Sequence, residues 1–306
     1  VPNNTSITID NYYLRIYSQF GILSSTPSEQ IISGNTVTVT ITAKNDIDVD
    51  AYMDSHAEAI LSSVTAGAAA VGVTTSYVGL ESSNEAFIDT DGVIIESLNG
   101  SVDVFAGREY NRNEATADAT AVAGVAGGIT VNLNAAVADD HAVNDAIIRG
   151  NGILNAMNGA VAVGANGEAT ANATVVGVNA GQFSIAGSFA VALLRSEQNA
   201  QLTGAKVQAQ SLDVVSNFNS DVSGAGSVAE LVTGSGGNTS VTANVAVAYG
   251  RSKSIALVAP AELIITGNGD VKVGSYGNAN VKSVTKNQSV SAVSAGVMVN
   301  TAYAQS

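Results

Sequence analysis

Residues 115–140 read ATADATAVAGVAGGITVNLNAAVADD. Ala115, Ala117, Ala119 and Ala121 alternate strictly with Thr116, Asp118 and Thr120. A two-residue period is that of a strand, whose successive side chains point to opposite faces. The apolar face is built almost wholly from alanine. Opposing sheets with such faces can lie close together with little between them, and this sets the expectation for the whole chain.

Totals agree with a thin β-structure. Of 306 residues, 46% are hydrophobic, but only 5% are aromatic and none is Trp. Charged residues make up 12%, against about 25% in an average globular domain, and Asn, Ser and Thr take their place. The net charge of −14, from 12 basic and 26 acidic residues without a basic cluster, disfavours nucleic acid or an anionic membrane as partner. Cysteine is absent, which excludes disulfides and thiolate metal sites and fits an extracellular location. No apolar run approaches the roughly 18 residues of a membrane span, and VPNNTSITID at the start lacks the pattern of a signal peptide. The chain reads as a mature fragment that does not insert into membrane.

Repetition organises the sequence. A short strand motif recurs as VTITAKND from Val39, VDVFAGRE from Val102, VAVGANGE from Val161, LDVVSNFN from Leu212 and VKVGSYGN from Val271, at spacings of 63, 59, 51 and 59 residues. Each copy continues into two long alternating segments separated by a Gly-rich break, such as Gly127-Gly128 or Gly234 to Gly237. The second segments align as TTSYVGL (74–80), LNAAVADD (133–140), GSFAVALL (187–194), ANVAVAYG (243–250) and VNTAYAQS (299–306). A third element follows in four copies, among them VNDAIIRGNGILNAMNG, and the fifth copy stops before it. Only three prolines interrupt the chain, so ladders can run long. SHAEAILSSV (55–64) has the composition of a helix, but its aligned partners alternate, which predicts strand. The expected fold is all-β: a parallel β-solenoid of about five degenerate 51–63-residue repeats over residues 37–306. The pattern leaves open whether a repeat is one wide coil or two or three coils of about 20–25 residues. It also leaves open hairpins in which the two long segments pair antiparallel.

Copies two to four resemble the repeats of very large bacterial exoproteins, the filamentous-haemagglutinin-like and leukotoxin-type filamentous adhesins. ITVNLNAAVADD and NDAIIRGNGILNAMNG carry the likeness best. The resemblance implies a right-handed β-helix on the bacterial cell surface or secreted, with a non-enzymatic adhesive role towards a host or neighbouring-cell surface, glycan included. The amino-terminal secretion domain of that family is not visible in residues 1–36.

Candidate sites are few. Asp46, Asp48 and Asp50, with Asp54 further on, stand at two-residue spacing in DIDVDAYMD. Carboxylates so placed suit Ca²⁺, a hard cation that takes oxygen ligands, and suit equally a solvated acidic face. Asp89 and Asp91 in DTDG echo the start of a calcium loop but lack its Glu at the twelfth position, which favours a turn. No other cofactor is indicated. Asp139, Asp140 and His141 form the most catalytic-looking trio, yet they align with GLE, LLR and YGR of other copies, which predicts a variable surface turn. Stacking the copies brings Asp139, Arg195 and Arg251 into one expected column. His56 stands beside Glu58 with no second histidine near. A carbohydrate-active β-helix enzyme is thereby the weakest of three readings.

Residues 1–36 differ in kind. Tyr12, Tyr13, Tyr17 and Phe20 concentrate in SITIDNYYLRIYSQFGIL, as expected for a cap over an open sheet edge or for a strand exchanged with a neighbour. With the incomplete fifth copy, exchange gives the second reading: an extracellular filament subunit that associates head to tail.

Overall fold

The computed structural model describes residues 4–9, 14–18, 38–219 and 226–305. Its strands are β1 (Asn4–Ile9), β2 (Leu14–Ser18), β3 (Thr38–Ala43), β4 (Ile47–Ala51), β5 (Asp54–Asp89), β6 (Val93–Ser97), β7 (Val102–Ala106), β8 (Asn113–Arg149), β9 (Ile153–Thr203), β10 (Lys206–Phe218), β11 (Ser227–Ala259), β12 (Glu262–Ile265), β13 (Val271–Gly277) and β14 (Val281–Gln305). There is no helix among the described residues, and 55–64 lies within β5. All strands join one unclosed sheet, and every strand pairing is parallel. This is an all-β arrangement compatible with a β-solenoid.

Register shows how the copies stack. Glu58 pairs with Asp118, Asp118 with Asn172, Asn172 with Val228 and Val228 with Lys282, so neighbours in the ladder lie 60, 54, 56 and 54 residues apart in sequence. Val102, Val161, Leu212 and Val271 fall in one column, as the repeat alignment predicts. The alignment fails at both ends of the chain. Ile47, rather than Val39, stands under Val102, and Val299 pairs with Val245, two residues from its expected place. β1 and β2 continue the same stack below β3 and β4.

Each long strand bends back on itself at its Gly-rich break. Within β5, the Ser63 and Thr74 hydroxyls meet at 2.5 Å and the Ser76 hydroxyl donates to the Ala59 carbonyl at 2.8 Å. In β11 the Asn244 amide donates to Thr233 Oγ1 at 2.8 Å. The two halves of each copy therefore face one another across an interior instead of pairing edge to edge. Stacked, they make a two-walled fin.

In the copies other than the fifth, the rest wraps around a three-sided base. Its walls are the ends of the second fin wall, with Ile88, Ile148 and Leu202; the column of Ile95, Leu154 and Val207; and the column of Val104, Val163 and Val214. These larger side chains fill a conventional core, the strongest favourable term in folding. The fin core is different: Ala117, Ala119, Ala171, Ala173, Ala192 and Ala248 are all almost fully buried. A buried polar seam divides the two cores. There the Asn113 amide donates to Asn144 at 2.6 Å, and Ser216 donates to the Gln198 carbonyl at 3.0 Å.

Opposite charges in register help select the correct neighbour. Arg149 reaches Asp89 at 3.3 Å, Lys253 reaches Glu197 at 3.4 Å and Lys272 reaches Asp213 at 3.8 Å, each across one step of the stack. These pairs are exposed and worth about 0–1 kcal/mol each. Their effect is to penalise a slipped register, which would oppose like charges or none.

Candidate functional site: a carboxylate–arginine pocket

β4 and β7 stack so that Asp48 lies over Asp103 and Asp50 over Phe105. Alternation keeps Ile47, Val49, Ala51, Val102 and Val104 on the core side and turns the four others outward. At Gly107 the chain leaves the wall with φ +76°, a conformation that L side chains avoid. A Cβ there would also collide with the Asn166 carbonyl oxygen. The excursion closes through paired backbone hydrogen bonds between Arg108 and Asn111, at 2.8 and 3.0 Å. It ends where Asn113 accepts the Met53 N–H at 2.9 Å. This loop swings Arg108 back over the acidic strand.

Arg108 Nε donates to both oxygens of Asp50, at 3.0 and 3.1 Å, and Nη2 reaches Asp48 at 3.2 Å. Its guanidinium lies 4.5 Å from the centre of the Phe105 ring. Burial works against the Arg108 charge, but the hydrogen bond and charge of Asp50, with Asp48, more than offset it and raise its pKa. One cation does not neutralise the whole group. Burial, then the neighbouring Asp48, push the Asp103 carboxyl up to about 7, against the opposing pull of Arg108. Tyr52 and Tyr110, 42% and 84% exposed, rim a pocket of about 260 Å³ over Asp48, Asp50 and Arg108.

The remaining sequence candidates are dispersed. Asp46 accepts the Ser101 N–H at 2.8 Å in the turn before β4, away from the pocket. Arg108 occupies the space between Asp48 and Asp50 that a cation would take. Asp54 opens β5 in register with Glu114. Asp89 and Asp91 cap a turn: Asp89 accepts the Asp91 N–H at 3.1 Å and Asp91 accepts the Asn151 N–H at 2.8 Å. Among the described residues no group of three or more His, Asp or Glu could hold a metal ion. His56 is exposed beside Thr116 in the ladder.

Asp139, Asp140 and His141 correct the expected turn, for they continue β8 without a break. Strand alternation splits them, leaving Asp139 and His141 outward and Asp140 fully buried between Leu80 and Leu194 in the ladder. The expected column is also offset: Arg195 pairs in register with His141 and Arg251, and reaches Asp139 diagonally at 2.7 Å. Tyr12, Tyr13 and Phe20 lie outside the described residues. Tyr17 belongs to β2, opposite Asp50 of β4.

Sequence reading missed Arg108, Asp103, Phe105, Tyr52 and Tyr110. Its available signal was GREYNRN (107–113), a charged and aromatic insertion that interrupts the alternation between a short strand and a long one. No family model, curated protein or solved structure matches the chain.

Proposed function

We propose that this chain is a non-enzymatic, extracellular β-solenoid segment of a bacterial surface adhesin, with about five repeats stacked as one wide coil each. The observation that carries the reading is the parallel register over steps of 51–60 residues from β3 and β4 onward, seen from Ala160–Ser211 to Asp54–Glu114. Stacking of this kind extends a rigid rod by repetition and presents every outward column as a ladder.

The pocket gives such a rod a place to bind. Its charged groups hold one another, which suits recognition better than proton transfer. Its rim offers two exposed phenol rings above hydrogen-bonding carboxylates. Aromatic faces with a few placed polar groups suit a sugar ring, which has an apolar face and a hydroxyl edge. The reading expects glycan binding on an array, and loss of at least about tenfold in affinity for Tyr52→Ala with Tyr110→Ala, each ring being a fully engaged aromatic anchor. Binding that survives in that variant, or depolymerisation of any bound polysaccharide, would overturn it.

A further inference from the structure

The fin is inverted towards its tip. Inward positions there hold Thr74, Asn132, Asn134, Ser188 and Asn244, all buried. The outer face of the second wall instead presents Ile129, Leu133, Phe183, Ile185, Phe189 and Val241, each between 44% and 57% exposed. These columns stack across β5, β8, β9, β11 and β14. The inversion has a second, independent mark. Residues 59–80, 119–138, 169–194, 231–250 and 287–306 contain no Asp, Glu, Lys, Arg or His, although the whole chain carries a net charge of −14. In register, these five runs overlap, so the distal fin is a charge-free slab bounded by Glu58, Asp118, Glu230 and Lys286 on one wall and Glu81, Asp139, Arg195 and Arg251 on the other. Water-facing sheet surfaces ordinarily carry mixed charge, and a contiguous apolar patch marks an interface.

We propose that this outer face of the second fin wall is a lateral docking surface for a second copy of the same chain, packed face to face. Its area fits. Five strands at about 4.8 Å and nine residues at about 3.3 Å give roughly 700 Å² per copy, or about 1,400 Å² buried in all, within the 1,200–2,000 Å² of a standard stable interface. Its charge fits, because two strongly acidic chains can meet here without opposing a single ionised group. Its shape fits as well: laddered sheets pack face to face at about 10 Å through interdigitated apolar side chains. Along one strand Phe183, Ile185 and Phe189 project around Gly187, leaving alternate ridge and hollow. A lipid phase suits the face less well. Among the described residues β5 pairs with β8 alone, and its free edge would carry unsatisfied backbone groups into hydrocarbon. The contact is lateral, and so distinct from association through strand edges at the ends of the stack.

Sedimentation of the whole chain from nanomolar to high micromolar concentration tests the proposal. The expected result is a reversible dimer. The variant Ile185→Lys with Phe189→Lys, both outward, is expected to be monomeric throughout. Ile185→Thr with Phe189→Thr retains strand propensity and guards against misfolding of the first variant; it should weaken the dimer at least about tenfold. Circular dichroism reports the fold of each. A wild-type chain that stays monomeric, or a dimer that the Thr variant leaves unchanged, overturns the proposal. Flotation of the monomer with phosphatidylcholine vesicles, lost in the same variants, would assign the face to lipid and overturn it equally.

Discussion

Asp140→Leu stabilises the chain above pH 7 by up to about 4 kcal/mol and reduces the stability that the chain loses as pH rises to 7. Asp140 is fully buried, and no side chain donates to either carboxylate oxygen. Burial raises its pKa to about 7 from the model-compound 3.8, with Asp139 adding to the shift and the Thr170 backbone N–H opposing it. The folded chain thus holds a proton that the unfolded chain releases. Asp140's contribution to stability is full below about pH 4, is lost as pH rises towards 7, and changes no further beyond. Three pH units at 1.36 kcal/mol each set the scale. Asp103, also raised to about 7, and Glu168, raised by burial, contribute in the same sense, so the variant keeps their share of the slope. Leucine is the chosen replacement because Leu80 and Leu194 occupy the same column one step below and above. Denaturant titrations at pH 5 and pH 8 decide the matter. Equal pH slopes in variant and wild type would show that Asp140 is ionised and solvated in the folded chain.

Ala171→Leu destabilises the fin by about 3 kcal/mol or more, the upper range for overpacking. Ala171 lies between Ala117 and Ser227 in the ladder, and the facing wall presents Ala192, whose carbonyl accepts the Ser227 hydroxyl at 2.8 Å. Three added carbons have nowhere to go unless the walls part, and parting them breaks contacts along every neighbouring step. The base behaves in the opposite sense. There Leu202, fully buried beside Ile148 in the ladder, loses about 2–5 kcal/mol on truncation to Ala because a cavity remains. Denaturant midpoints of the two variants check both halves. An Ala171→Leu chain as stable as the wild type would mean that the walls are not closely apposed.

That contrast explains how much of the fold was legible beforehand. Alternation in 115–140 announced strand and a thin core, since alanine on the inward face leaves no other way to exclude water. The columns through Val102, Val161, Leu212 and Val271 were legible because each motif keeps its apolar–polar rhythm. The first copy misled: VTITAKND and IDVDA are both short alternating strands, and only three-dimensional register tells which one lies under VDVFA. DDH was misplaced because variation among the aligned copies resembles a turn, whereas the strand continues and buries one of the three. The pocket stayed hidden for a related reason. Asp48 and Asp50 suited a cation or a solvated acidic face, and the structure lays Arg108 across them, brought from 58 residues further on by the Gly107 loop. Spacing along one strand cannot show what an excursion from the next will lay across it.

The central claim is that one repeat makes one step of the stack, and a distance between two spin labels tests it most directly. Glu58→Cys and Lys282→Cys introduce the only thiols in a chain that has none, at outward positions joined by the ladder through Asp118, Asn172 and Val228. Pulsed dipolar spectroscopy, with the labelled chain diluted in unlabelled chain, should give about 20 Å, four strand spacings of about 4.8 Å. A distance of about 45–50 Å, as expected if the intervening residues wound through coils of about 20–25 residues each, would contradict the account.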